Sequence, residues 1–140
     1  MIEPTRIDFE ISVSLGIDGF ECDPIEISRI LDIEPTRTLK PGDKRTLGRR
    51  AKVHLWDLTP PVSTKNCSIT DQVAALKEII EPRAPNFSNL PKGCVSTFGC
   101  VVYAYQYVPP ICFSAEELGF FSSIGADMYV NLYDLTASEV

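Results

Sequence analysis

From Arg6 to Ile17 apolar and polar positions take turns along the chain. Ile7, Phe9, Ile11, Val13, Leu15 and Ile17 fall on one side, and Asp8, Glu10, Ser12 and Ser14 on the other. A period of two predicts a strand with one face in a core and the other in water. The period then lengthens. Ile27, Ile30 and Leu31 form the apolar stripe of a helix that Asp23 can cap, that Pro24 suits as first residue, and in which Glu26 completes a capping box; Pro35 ends it. Residues 34–50 predict a long loop around the turn Pro41-Gly42-Asp43.

A second strand is expected from Ala51 to Leu58, stopped by Pro60-Pro61. A second helix follows, capped by Ser68 or Thr70, buried through Val73, Leu76, Ile79 and Ile80, and closed by Pro82. The next ten residues, with Pro85 and Pro91, predict irregular chain ending in a Lys92-Gly93 turn. The longest strand should run from Cys94 to about Tyr107, before Pro109-Pro110. Ser114 and Glu117 make a capping box for a third helix with Leu118, Phe121 and Ile124 on its stripe and Gly125 at its C′ position. The last strand, Asp127 to Tyr133, sets Met128, Val130 and Leu132 against Tyr129, Asn131 and Tyr133, and the tail after Asp134 should fray.

The expected order is therefore β-α-β-α-β-α-β. Doubly wound sheets bury both faces and their strands read as continuous apolar runs; the first and last strands here alternate. The pattern predicts an α+β fold, a two-layer sandwich of four main strands with the helices mainly on one face. A length of 140 residues matches one domain, 1–140.

Composition narrows the functional classes. The net charge is −6, which disfavours general binding to nucleic acid or to anionic membrane, both polyanions. No stretch is long and apolar enough for a membrane span. The opening residues lack a charged region followed by an apolar run, so the expected address is the cytoplasm. Five cysteines without a Cys-x-x-Cys pair then read as reduced, mostly buried thiols.

One segment departs from the acidic background. Between Glu34 and Lys52 stand Arg37, Lys40, Lys44, Arg45, Arg49, Arg50 and Lys52, opposed by Glu34 and Asp43 alone. The segment carries +5 and the remainder of the chain −11. Arginine forks match carboxylate or phosphate, so the segment can hold an anion or an acidic partner. The competing reading is a solvated loop folded back on the protein's own acids.

The second departure is aromatic. Tyr103, Tyr105 and Tyr107 recur at a spacing of two, and Tyr129 and Tyr133 lie on the outer side of the last strand. Such a face suits protein contact, in which tyrosine is enriched, or a second subunit in a homodimer; the competing reading is that the rings cover the sheet against a loop or one another as cross-strand pairs. Base stacking also uses such faces, but Asp8, Glu10 and Asp127 would repel RNA. His54, the only histidine, stands two residues from Trp56. The two could flank a pocket under the basic segment, though a lone strand histidine is normally a packing neighbour. No glycine-rich phosphate loop, nucleophile elbow or zinc spacing is present. The sequence assigns no catalytic residue, no metal site and no cofactor.

The run Ile27-Ser28-Arg29-Ile30-Leu31-Asp32-Ile33-Glu34-Pro35-Thr36-Arg37, then Lys40-Pro41-Gly42-Asp43, then Trp56, resembles the front half of a mostly bacterial domain-of-unknown-function family, DUF4279. Leu118 through Tyr133 resembles that family's closing helix and strand. Asp32 stands where the family pattern has glycine. The resemblance transfers no catalytic residue. It implies a small interaction protein, in a class that includes immunity proteins paired with toxins. Two expectations follow. The first is a non-enzymatic protein-interaction module using the charged surface and the tyrosine face. The alternative is a small-molecule or phosphate-ligand domain, or an enzyme, built from residues 37–52 beside His54 and Trp56.

Overall fold

A computed structural model describes residues 6–45 and 49–137. The elements are β1 (Phe9–Asp18), α1 (Pro24–Leu31), β2 (Arg37–Leu39), β3 (Leu55–Leu58), α2 (Ile69–Ile80), a 3-10 segment (Glu81–Asn89), β4 (Val95–Ala104), α3 (Ala115–Ser123) and β5 (Ala126–Asp134). The fold is mixed α+β, with five strands in one sheet and three α-helices. The expected four strands become five because residues 37–39 pair with β3. The order is accordingly not a regular alternation, since β2 and β3 follow one another.

The strands lie in the order β2-β3-β1-β4-β5, antiparallel except for β4 and β5. The parallel pair is joined by α3, as a parallel pair requires a crossover. Inward residues of β1 (Phe9, Ile11, Val13, Leu15, Ile17) and β4 (Phe98, Cys100, Val102) join Ile27 and Leu31 of α1, Val73, Leu76 and Ile80 of α2, and Phe121 of α3 in one cluster. All three helices thus cover the same face of the sheet. The opposite face carries Ser12, Ser14, Thr97, Tyr103, Tyr129 and Tyr133, none of them buried.

Local chemistry sets the helix ends. Asp23 accepts from the Ile25 amide with Pro24 behind it. The expected capping box is not formed, because Glu26 turns to Arg29. Ser68, rather than Thr70, caps α2. Ser114 and Glu117 form the expected box on α3, and Gly125 takes the left-handed conformation behind it. Asp32 stands at the C-cap of α1 with φ 58° and ψ 43°. Asp adopts this left-handed turn because a short polar side chain tolerates that region better than most.

Two strands are shorter than the pattern predicts. β3 begins at Leu55, not Ala51. β4 ends at Ala104, because the Tyr105 and Gln106 amides both turn to the Asp8 carbonyl. Gln72 is buried on α2 and donates to the carbonyls of Ile11 and Cys67 at 2.6 and 3.2 Å, tying the helix to β1.

The cysteines are free, but only Cys100 is buried. Burial pushes its thiol up to about 11. Cys22, Cys67 and Cys94 are partly exposed and Cys112 is exposed, which corrects the expectation of mostly buried thiols. Among the described residues no helix is long and apolar enough to cross a membrane.

Candidate functional site: a cationic hairpin beside the open sheet face

The basic segment is not a loose loop. Residues 40–45 and 49–51 lie against one another: the Gly42 amide donates to the Ala51 carbonyl at 2.8 Å, the Ala51 amide to the Asp43 carbonyl at 2.7 Å, and Lys44 and Arg50 bridge as antiparallel partners. The turn before it is held by Asp43, whose carboxylate accepts from the Lys40 amide at 2.7 Å. Gly42 lies at φ 93°, a conformation that excludes a side chain there without strain.

The cations divide by what they touch. Lys40 reaches Asp23 at 2.8 Å. That contact raises the Lys40 ammonium and lowers the Asp23 carboxyl relative to their ordinary values, and it fastens the hairpin base to the cap of α1. Arg37 lies 3.8 Å from Asp57. Arg50 donates to the Gly42 carbonyl at 2.8 Å. Lys44, Arg45, Arg49, Arg50 and Lys52 have no carboxylate partner among the described residues. Arg37, Arg45, Arg49, Arg50 and Lys52, with Ala51 and Val53, line an open cavity of about 730 Å³.

Arg37 and Arg45 also border a second cavity of about 280 Å³, on the uncovered face of the sheet. Its walls include Ser14, Asp57, Thr97 and Tyr129. Asp57 follows Trp56 on β3 and therefore points the other way. Its side chain is only 16% exposed, and no hydrogen bond reaches its carboxylate among the described residues. Burial raises its pKa, and Arg37 offsets part of that. Tyr129 lies flat over Gly99, its neighbour in the parallel ladder, so that a methyl group on Gly99 would overlap the ring. Glycine at that position is what lets the aromatic ring lie against the sheet.

The residues singled out in the sequence scatter accordingly. Arg37, Arg45, Arg49 and Arg50 come together. Lys40 is a structural tie, and Lys44 sits in the hairpin outside both cavities. Trp56 is fully buried and donates from Nε1 to Ser28 Oγ at 3.0 Å, on the helix-covered side. It cannot wall a pocket beneath the arginines. His54 stacks on Phe20 with centroids 5.7 Å apart, and its buried Nδ1 has no partner among the described residues. It borders neither cavity.

The tyrosine row breaks up. Tyr103 stacks on Tyr133 at 5.1 Å, Tyr105 donates to Glu10 at 3.0 Å, and Tyr107 meets Phe9 edge-on. Tyr105 and Tyr107 lie beyond the end of β4. Tyr129 lies on the outer face as the sequence pattern predicts, but Asp57 was not singled out. The signal for Asp57 was one acid between Trp56 and Leu58 on a strand that follows seven cations.

Among the described residues no group of histidine, cysteine and carboxylate side chains is arranged to hold a metal. A family model described as a domain of unknown function, DUF4279, matches residues 9–135. No curated protein and no solved structure matches the chain.

Proposed function

The chain belongs to the DUF4279 family, whose description names no activity, and from the surface it presents we propose that it is a non-enzymatic protein-interaction module. The cationic hairpin and the adjoining open sheet face act as one recognition surface for an acidic segment of a protein partner. One observation carries this reading: Arg37 and Arg45 border both cavities, so the cationic lining runs without a break onto the face bearing Tyr129. Guanidinium groups supply the attraction and orientation for carboxylates. The exposed tyrosine supplies contact area at low entropic cost. A toxin is the kind of partner that the family resemblance implies.

The test is capture from the native cell with tagged protein, comparing wild type with the triple variant Arg45→Glu, Arg49→Glu, Arg50→Glu. The variant should fold normally, since exposed substitutions change stability by about 0.5 kcal/mol or less each, and should lose the partner. Capture unchanged by the reversal removes the hairpin from the function.

A second reading has one observation of its own. Four arginines around about 730 Å³ also suit a phosphate-bearing small molecule. A nucleotide or sugar phosphate at a hundred times its dissociation constant would stabilise the fold by about 2.7 kcal/mol. A thermal-shift panel without any such rise excludes this reading and leaves the first intact.

A further inference from the structure

We propose that β5 is a self-association edge, at which two copies of this chain pair antiparallel about a two-fold axis through Val130 and form one continuous ten-stranded sheet. The two edges of the five-stranded sheet are built differently. β2 has three residues, carries Arg37 and runs into Lys40-Pro41. Short length, cations and proline are the usual means of blunting an edge. β5 has nine residues, ADMYVNLYD, with no lysine, arginine, proline or glycine. It pairs with β4 alone, and among the described residues no strand lies along its outer side.

Its side chains tell the same story on both faces. Met128, Val130 and Leu132 stand level with Phe98, Cys100 and Val102, on the helix-covered side. The three β4 residues are fully buried, yet Val130 is 41% and Leu132 49% exposed. The apolar strip continues onto α3, where Leu118 is 46% exposed and shares a groove of about 360 Å³ with Met128. On the other face Tyr129 and Tyr133 are similarly uncovered. A nine-residue strand that is apolar on one face and aromatic on the other, its outer edge unpaired among the described residues, has the character of an interior strand.

The occupant that fits is a second β5. Antiparallel pairing with Val130 opposite Val130 sets Met128 against Leu132 and keeps every side chain on its own face, because paired positions then differ by an even number. Tyr129 meets Asn131, and Asp127 meets the hydroxyl-bearing Tyr133. No two like charges oppose one another. Asp134, the remaining acid, falls opposite Ala126 and is already engaged by Thr136, whose amide reaches it at 3.0 Å. A two-fold axis requires this kind of self-complementarity.

Sedimentation equilibrium of the full chain tests the proposal. Wild type should sediment at twice the chain mass of 15.5 kDa between micromolar and hundreds of micromolar. Val130→Arg sets two cations face to face on the axis, and should sediment as a monomer with an unchanged circular dichroism spectrum and a melting temperature that no longer rises with protein concentration. Paired Cα atoms at the axis fall within the separation a disulfide spans, whereas Asn131 and its copy do not. In a Cys112→Ser background, mild oxidation should therefore cross-link Val130→Cys and leave Asn131→Cys uncross-linked. A wild type that is monomeric throughout the range, or a dimer that survives Val130→Arg, overturns the proposal. Cross-linking through position 131 instead of 130 overturns the register.

Discussion

Trp56 and Asp57 are adjacent on β3 and belong to opposite faces of the sheet. Trp56 is wholly buried among α1 and the inward residues of β1, with its one polar atom satisfied by Ser28. Asp57 looks onto a small open cavity, shielded enough for its carboxyl to be pushed up, with Arg37 3.8 Å away. The two faces thus meet different physical requirements. On the covered face the buried polar side-chain atoms of the described residues have partners, His54 Nδ1 excepted, and cost scales with volume removed. On the open face charges stand close together with few internal partners, and cost scales with the field they make. Stability is concentrated on the first face, and the proposed recognition surface lies on the second.

The sharpest way to break that division is Trp56→Ala. Removing a fully buried indole should cost about 3–5 kcal/mol in urea unfolding, a large part of the whole stability of a domain this size. A loss below about 1 kcal/mol would mean that Trp56 is not a core residue at all. Next in size is Gln72→Ala. It leaves the carbonyls of Ile11 and Cys67 without their donor in the interior, which should cost about 1–3 kcal/mol. Hydrogen exchange should report the loss first at the α2 end facing β1. Uniform destabilisation with native protection there would show that Gln72 does not tie the two elements.

Asp57→Asn sharpens the comparison from the other face, through its dependence on pH. The folded carboxyl has a pKa above its ordinary value of 3.8 because burial disfavours its charge. The native state therefore holds the proton more tightly than the unfolded chain. Wild-type stability from this residue is highest below about 3.8 and falls as pH rises through the raised folded value. The variant lacks that component. Its stability minus that of wild type should increase across the same window, and groups common to both proteins cancel in the difference. A difference independent of pH from 3 to 7 would mean that Arg37 fully compensates the burial and that the cavity at Asp57 is as wet as bulk water.

Much of the covered face was legible in the sequence. Alternation in β1, the stripes of α1 and α2, the Ser114–Glu117 box and the Gly125 turn are all local signals, and local chemistry formed each of them, whereas Leu118 of the expected α3 stripe is exposed. The open face was legible only in outline. The cluster of cations was plain, but β2 was not, because residues 37–39 become a strand by pairing with β3 rather than by propensity. Asp57 was hidden for a related reason: on a half-wet strand an acid is ordinary until the fold brings Arg37 and Arg45 beside it. The row of tyrosines was over-read, since the spacing of two continues past Ala104 while the backbone turns away to Asp8. Alternation in β5 marked Val130 and Leu132 for a covered face, yet which helix extends far enough to cover them is a tertiary property, and α3 reaches only to Met128.

The smallest expected effect lies where the open face is most crowded. A Cβ on Gly99 would overlap the Tyr129 ring, which on the covered face would cost several kcal/mol. Here the obstacle is a side chain 44% exposed, able to swing off the sheet into water. Alanine also relieves the cost of glycine within a strand, about 0.5–1 kcal/mol. Gly99→Ala should therefore leave stability within about 0.5 kcal/mol of wild type. The ring's departure should still be visible as a shift in the Tyr129 aromatic resonances and as easier access of solvent to Asp57. A loss above about 2 kcal/mol would show that Tyr129 is clamped in place. The open face would then be a packed surface, and the cavity beside Asp57 a structural void rather than a place for a partner.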